Sequence, residues 1–112
     1  MLLNKENIMV LEINSENFEN EVLAHNGVIV VDFFANWCGP CRKLAPLLEE
    51  VESELSQVKF AKINTDENLE MAKKYQVSGL PTLMVFKNGE AVERLVGLMP
   101  KSSIITNNEK HI

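Results

Sequence analysis

The stretch that decides the fold is Val28–Cys41, which reads Val-Ile-Val-Val-Asp-Phe-Phe-Ala-Asn-Trp-Cys-Gly-Pro-Cys. Its first half, Val28–Phe34, has apolar side chains at both odd and even positions, which is typical of a central strand covered by helices on both faces. After Cys41, leucine and valine recur at positions 44, 47, 48, 51 and 55, the spacing of an amphipathic helix. The two cysteines are therefore predicted to lie in the turn between a buried strand and a helix.

Two elements are predicted before this stretch. Met9–Ile13 is a short apolar-rich run that favours a strand. Ser15 can cap a helix over about Glu16–His25, because a serine side chain accepts hydrogen bonds from the free N–H groups of a first turn. Gly27 follows at the position where a glycine commonly ends a helix.

The sequence after the central helix predicts a further strand and helix. Val58–Asn64 has the composition of a strand. Thr65 or Asp66 can then cap a short helix that reaches about Tyr75. Together with the preceding elements, this alternation of strand and helix predicts parallel strand pairing in the first part of the chain.

The last part of the chain contains a hairpin signal. Thr82–Lys87 and Glu90–Val96 are rich in β-forming residues, and the pair between them is Asn88-Gly89, which favours a two-residue turn. Lys101–Ile112 is ambiguous, because the threonine and two asparagines at positions 106–108 are poor helix formers. The complete order predicts an α/β protein with a mixed sheet between helices.

Length and composition exclude several classes of protein. The chain has 112 residues, which predicts one domain over residues 1–112. A net charge of −5 disfavours nucleic-acid binding, and no apolar run reaches the length of a membrane span. Only two cysteines are present, and the polar N-terminus has no signal-peptide core, so we expect a cytoplasmic protein.

The two cysteines are the clearest candidates for chemistry. Cys38 and Cys41 span the first turn of the predicted helix, which brings them close enough for a disulfide. Pro40 suits that turn, where a backbone N–H has no acceptor within the helix. The free N–H groups and the helix dipole stabilise a thiolate on Cys38, which predicts that Cys38 is the nucleophile. Cys41 lies one turn deeper and is better placed to resolve a mixed disulfide.

Two other uses of this cysteine pair have to be weighed. A purely structural disulfide would close a loop of four residues and stabilise the fold by only about 2 kcal/mol. A closed zinc site needs two more ligands, and the two histidines, His25 and His111, have no recognisable ligand spacing. Redox chemistry is therefore the favoured interpretation.

Asp32 is an unusual residue within the central strand. It lies between apolar neighbours on a strand that has no clearly solvated face, and burial disfavours the charged form of a carboxyl group. The sequence alone thus predicts a raised pKa for Asp32. The alternative is an ordinary aspartate at the end of the strand, facing water.

A wider resemblance adds to these observations. Val31–Cys41 resembles the active-site segment of the thioredoxin family, and the similarity continues with matching spacing through nearly the whole chain. The other matching segments are Leu-Ala-Pro at Leu44–Pro46, Ala-Lys-Ile-Asn at Ala61–Asn64, Gly-Leu-Pro-Thr-Leu at Gly79–Leu83 and Val-Gly at Val96–Gly97. The resemblance implies a thioredoxin fold, with a central mixed five-stranded sheet flanked by about four helices.

The resemblance also implies an activity. A member of this family is a general protein-disulfide reductase, an electron carrier between a thioredoxin reductase and disulfide-containing client proteins. Cys38 would attack the client disulfide, and Cys41 would then release the reduced client. No cofactor and no metal are implied, because the two sulfur atoms carry the electrons. Such a protein is expected to act as a monomer, without nucleic acid or membrane.

Three further positions gain a role only through the resemblance. Asp32 matches the buried acid that assists deprotonation of the resolving cysteine. Lys62 matches the lysine near that acid, although without the resemblance it reads as a surface lysine at a strand end. The Leu80–Pro81 bond is implied to be cis and packed against the cysteines, whereas the sequence alone favours the trans form.

A client-binding surface around Cys38 follows from the same resemblance. There the backbone of Leu80 can pair with an extended client segment. The residues implied to form or adjoin this surface are Trp37, Gly39, Pro40, Leu80, Pro81, Val96, Gly97 and Leu98.

Two alternatives and two departures qualify the expectation. A disulfide oxidase or isomerase is disfavoured by the Gly-Pro pair between the cysteines, and a non-catalytic binding module would not need Asp32 or the cysteines. The family commonly has tryptophan where this chain has Phe34, so Trp37 is its only tryptophan. The last segment is also less helical in composition than the family norm, which predicts fraying after about Ile105.

Overall fold

Residues 10–112 are described by a computed structural model of the chain. Met9, the first residue of the predicted N-terminal strand, lies outside this range. The described strands are β1 (Leu11–Ile13), β2 (Val28–Phe34), β3 (Val58–Asn64), β4 (Thr82–Lys87) and β5 (Glu90–Val96). The described helices are α1 (Glu19–Leu23), α2 (Gly39–Glu54), α3 (Leu69–Lys74) and α4 (Lys101–Glu109).

The strands form one mixed sheet in the order β1-β3-β2-β4-β5. β3 pairs in parallel with both β1 and β2, whereas β4 pairs antiparallel with β2 and β5. β2 is therefore central, and its Asp32 lies opposite Lys62 on one side and Leu83 on the other. The predicted mixed five-stranded sheet with four helices is confirmed.

Two apolar layers cover the sheet. On one face, α2 and α4 pack through Leu44, Leu48 and Ile104 onto β2, β3 and β4. On the other face, α1 and the segment around α3 pack onto the sheet, and the rings of Phe18 and Tyr75 lie 5.3 Å apart between their centroids. Burial on both sides explains why β2 is apolar at every position except Asp32. Within residues 10–112, none of the helices combines the length and apolar character needed to cross a membrane.

The hairpin turn has the predicted form. Asn88 and Gly89 both have positive φ angles, of 51° and 86°, as a two-residue turn between twisted strands requires. Gly89 is required for a second reason, because a Cβ atom there would lie 2.6 Å from the carbonyl oxygen of Leu23. The turn thereby fixes the pairing of β4 with β5.

The first helix is shorter than predicted and is capped differently. It is a five-residue π-helix, Glu19–Leu23, instead of a helix over Glu16–His25. The side chain of Asn14 accepts hydrogen bonds from the N–H groups of Glu16 and Asn17, at 2.8 and 3.0 Å. Ser15 instead donates to the side chain of Asn68. The predicted serine cap is wrong because Asn14 offers its carbonyl oxygen one residue earlier.

The third helix shows the same kind of error. It begins at Leu69, and neither Thr65 nor Asp66 caps it. The side-chain oxygen of Asn64 accepts from the N–H groups of Asp66 and Glu67, at 2.9 and 3.3 Å, and so organises the turn before the helix. An asparagine at the end of a strand therefore replaces the predicted cap.

The C-terminal helix is longer than its composition predicts. It continues to Glu109, beyond the expected end at about Ile105. Asn107 and Asn108 donate their side-chain amides to carbonyl oxygens four residues earlier, each at 2.8 Å, and Asn108 is fully buried. Packing of this helix against α2 and the sheet thus overrides weak local propensity.

Candidate functional site

The redox pair lies at the start of α2. Cys38 is the N-cap residue of this helix, as predicted, and it forms a disulfide with Cys41 in which the Cα atoms are 5.2 Å apart. The backbone N–H of Cys41 donates to the sulfur of Cys38 at 3.2 Å. Pro40 occupies the first turn, where the N–H that proline lacks would have no acceptor.

This position determines which sulfur is the better nucleophile. Cys38 precedes the first helical N–H groups, so a negative charge on its sulfur faces the positive end of the helix dipole. Cys41 lies inside the helix and within an apolar cluster that includes Ala35 and Leu80. A thiol in such surroundings keeps its proton more readily. The geometry therefore favours Cys38 as the attacking thiolate.

Asp32 lies beneath the disulfide on the central strand. Its side chain is buried, with 4% of the residue exposed, and its Oδ1 has no hydrogen-bond partner within the described residues. Burial raises the pKa of Asp32 from 3.8 to about 7, against a smaller opposing effect from the positive charge of Lys62. The alternative of a water-facing aspartate is therefore wrong.

A cavity connects this carboxyl group with the redox pair. It has a volume of about 170 Å³, and Asp32, Cys41 and Lys62 all line it. Asn36 and Arg42, which are exposed, lie at its edge, and Arg42 Nη1 donates to the carbonyl oxygen of Asn36 at 2.8 Å. A cavity of this size holds several water molecules. Protons can thus pass between the acid, the inner cysteine and solvent.

Lys62 is held beside the acid by the register of the sheet. It is the partner of Asp32 in the β2–β3 pairing, and its ammonium nitrogen lies 5.7 Å from the centre of the Phe34 ring. A cation over an aromatic face is attracted by the electrons of the ring. Phe34, the residue that replaces the family's common tryptophan, therefore contacts the lysine that tunes the acid.

The loop before β4 approaches the cysteines as implied. The Leu80–Pro81 peptide bond is cis, which confirms the expectation from the resemblance and overturns the trans form favoured by the sequence alone. Leu80 packs against the cluster that contains Cys38 and Cys41. The N–H of Gly97 donates to the carbonyl oxygen of Pro81 at 2.8 Å and fixes the loop to the end of β5.

The remaining predicted surface residues are exposed or half-buried. Trp37 is 68% exposed, Val96 60% and Leu98 47%, so apolar area that a core would normally cover faces solvent. Trp37 and Leu80 line a common surface cavity of about 230 Å³. The other two, Gly39 and Pro40, lie in the first turn of α2 directly after Cys38. No contact that ties Leu98 to the cysteines is described for residues 10–112.

Sequence reasoning missed the residue that holds Trp37. The indole nitrogen of Trp37 donates to Oδ2 of Asp66 at 2.8 Å. Asp66 was considered only as a helix cap, and 29 residues separate it from Trp37, so no local pattern signals the pair. The bond keeps the exposed indole beside Cys38 in one orientation.

The two histidines lie at the ends of their helices. His25 follows α1 and is half-buried, and His111 follows α4, with its ring nitrogen 3.4 Å from Glu93 Oε2. Across residues 10–112, no three side chains of His, Cys, Asp or Glu form a cluster that could hold a metal ion.

Comparisons with known proteins agree with the geometry. The family model described as Thioredoxin matches residues 9–110. A thioredoxin of Chlamydia pneumoniae is 48% identical over 92% of this chain and 99% of its own length. Thioredoxin 1 of Synechococcus elongatus is 43% identical over 89% of this chain and 94% of its own. A thioredoxin of Rickettsia bellii is 46% identical over 87% and 93%, respectively.

Proposed function

We propose a specific division of roles in this protein-disulfide reductase, since the chain belongs to the thioredoxin family and carries its redox-active cysteine pair. Cys38 is the nucleophile, Cys41 the resolving cysteine, Asp32 the proton acceptor and Lys62 the residue that tunes Asp32. The observation that supports this division most directly is the position of the two cysteines. Cys38 caps α2, whereas Cys41 shares a buried cavity with Asp32.

The reaction proceeds by two thiol–disulfide exchanges. The thiolate of Cys38 attacks one sulfur of a client disulfide, that S–S bond breaks, and the other client sulfur leaves as a thiolate. Cys41 then loses its proton and attacks the sulfur of Cys38, which releases the second client sulfur. Two electrons pass to the client, and the Cys38–Cys41 disulfide of the present structure is the product. A thioredoxin reductase returns the pair to its reduced form.

Asp32 supplies the base for the second exchange. Its pKa of about 7 means that a substantial fraction is ionised at neutral pH and can accept the proton of Cys41, directly or through water in the shared cavity. The charge of Lys62 opposes the effect of burial and keeps this pKa within a useful range. A carboxyl group with an ordinary pKa would be ionised, but it would be a weaker base.

Clients are bound by the surface around Cys38. None of the backbone hydrogen bonds described within residues 10–112 involves Leu80, so its backbone is free to pair with an extended client segment. Trp37, Val96 and Leu98 present apolar area, and Gly39 and Gly97 leave room for a client backbone. Loose apolar contact of this kind suits many different clients, as a general reductase requires.

The chain also acts, in this proposal, as a single-domain monomer in the cytoplasm. Both of its cysteines form the redox pair, so none remains for the structural disulfides that small secreted proteins use. Gel filtration of the reduced and oxidised forms tests the monomer, because a dimer would elute earlier in at least one of them.

An insulin-reduction assay with dithiothreitol tests the function. Wild type should accelerate the precipitation of insulin chains, whereas Cys38→Ser should match dithiothreitol alone. A wild type without acceleration would favour a non-catalytic binding module. A redox potential near about −120 mV instead of about −270 mV would favour a disulfide oxidase.

A further inference from the structure

The loop that carries Leu80 has few internal bonds and is held from outside by β5. At its far end, the N–H of Gly97 binds the carbonyl oxygen of Pro81 at 2.8 Å. In its middle, Gly79 packs so closely on Val96 that a Cβ atom added to the glycine would lie 3.1 Å from Val96 Cγ1. One strand thus contacts this loop at two successive points.

Arg94 provides a third contact, at the start of the loop. Its Nη2 donates to the carbonyl oxygen of Tyr75 at 2.5 Å, and its Nη1 lies 3.5 Å from the carbonyl oxygen of Gln76. Arg94 precedes Val96 by two residues on β5, so both side chains lie on the same face of the sheet. That face is the one on which α3 and the Leu80 loop pack.

The two carbonyl groups need such a partner. Tyr75 is the C-cap of α3, and the last carbonyl groups of a helix have no acceptor role within the helix itself. Gln76 follows with a φ of +54°, in the left-handed region, where the chain turns towards Leu80. A guanidinium group placed there also complements the negative end of the helix dipole. Arg94 therefore fixes the point and the direction from which the loop leaves α3.

We propose that Arg94 is a positioning residue for client binding, which sets the backbone of Leu80 at the height of Cys38 where a client strand can pair with it. This inference rests on the proposed function of Leu80. Arg94 does not touch the sulfur atoms and acts only through the loop. Its loss should therefore affect polypeptide disulfides, which pair with the loop, and leave small disulfides, which need only Cys38, unaffected.

The experiment compares Arg94→Met with a matched control. Methionine keeps an unbranched apolar stem but removes both the charge and the hydrogen bonds. Lys87→Met is the control, because Lys87 is an exposed cation on the same hairpin and its removal changes the net charge equally. Arg94→Lys restores the charge and one donor.

Pre-reduced protein is mixed with excess insulin, and its oxidation is followed in a single turnover by acid quench and alkylation. For Arg94→Met, the half-saturating insulin concentration should rise about three- to tenfold, the range for one lost charge-assisted hydrogen bond at an exposed site. The limiting rate and the rate with a small aromatic disulfide should stay within about twofold of wild type. Arg94→Lys should recover part of the loss, and the amides of Val77–Leu80 should exchange faster in Arg94→Met.

The outcomes separate this inference from the proposed function. Unchanged half-saturation in Arg94→Met, equal losses with insulin and the small disulfide, or an equal loss in Lys87→Met would each overturn the positioning role. A wild type that fails to reduce insulin would instead overturn the proposed function. Thermal melts of all three variants set the assay temperature at which each remains folded, and Arg94→Lys keeps the test decisive if the methionine variant unfolds.

Discussion

The disulfide separates two regions with opposite physical character. On its outer side, Trp37 and Val96 are more than half exposed, and they leave apolar area in water. On its inner side, Asp32 is buried with an unpartnered carboxyl oxygen, and Cys41 lies in the same cavity. Each arrangement opposes stability, the first by exposing apolar area and the second by burying a group that can ionise. The comparison indicates that clients are met on one side and protons are moved on the other.

The largest expected effect comes from removing one sulfur at a time. Cys38→Ser should abolish client reduction, because no thiolate faces the outer side. Cys41→Ser should still attack clients but accumulate mixed disulfides that dithiothreitol releases, since the inner side can no longer resolve them. Non-reducing gels after incubation with insulin measure both results. Trapping by Cys38→Ser instead would reverse the two assignments.

The next largest effect concerns the inner carboxyl group and stability. The folded pKa of Asp32, about 7, lies above its ordinary value of 3.8. Between these values the folded protein binds more protons than the unfolded chain, so the free energy of unfolding falls as pH rises and levels off above pH 7. Each unit of pKa corresponds to about 1.4 kcal/mol, so the total loss is about 4 kcal/mol.

Asp32→Asn removes this titration. It should stabilise the oxidised protein, and the gain should grow by about 2–3 kcal/mol between pH 5 and pH 8. Resolution of mixed disulfides should slow, because Cys41 loses its proton acceptor. Urea unfolding at both pH values and single-turnover release of insulin measure the two effects. A variant that is less stable at pH 8 and resolves at the wild-type rate contradicts both.

The inner side was largely readable from the sequence, because its determinants are local. An aspartate inside a continuous apolar run predicts a buried acid, and cysteines three apart before a helix predict a redox pair. The bounds of β2, β3, β4 and β5 also agree with prediction, because apolar runs and the Asn88-Gly89 turn define them. Helix caps were less predictable, because Asn14 and Asn64 compete with neighbouring serine, threonine and aspartate for the same N–H groups.

The outer side depends on contacts that no local pattern reveals. Trp37 is bound by Asp66, and Arg94 binds the carbonyl oxygen of Tyr75, in each case across elements that are distant in sequence. The cis Leu80–Pro81 bond was expected from the resemblance alone. Tertiary placement decides these features, whereas composition and periodicity decide the strands.

The lone tryptophan offers a smaller, spectroscopic test of the outer side. Trp37 is 68% exposed and no second tryptophan exists in the chain, so the emission should have a solvent-exposed maximum in both redox states. Asp32→Asn should leave that maximum unchanged, because the substitution lies on the inner side. Fluorescence spectra of both proteins, with and without dithiothreitol, provide the measurement. A blue-shifted maximum in wild type would show that Trp37 is covered and that the client surface must be redrawn.

The smallest expected effect comes from making the inner substitution on the outer side. Asp66→Asn keeps an oxygen that can accept the hydrogen bond of the Trp37 indole but removes the charge. Because this bond is exposed to water, its loss of strength should destabilise the fold by less than about 1 kcal/mol, with no pH dependence between pH 5 and pH 8. The same chemical change should therefore have opposite signs at the two sites: Asp32→Asn stabilises at pH 8, and Asp66→Asn slightly destabilises. Asp66→Ala, which removes the acceptor, serves as the matched control and should also increase the mobility of the indole, measured as a lower fluorescence anisotropy. A stabilisation of several kcal/mol by Asp66→Asn would mean that the outer carboxylate is as costly as the inner one, and the division between the two sides would fail.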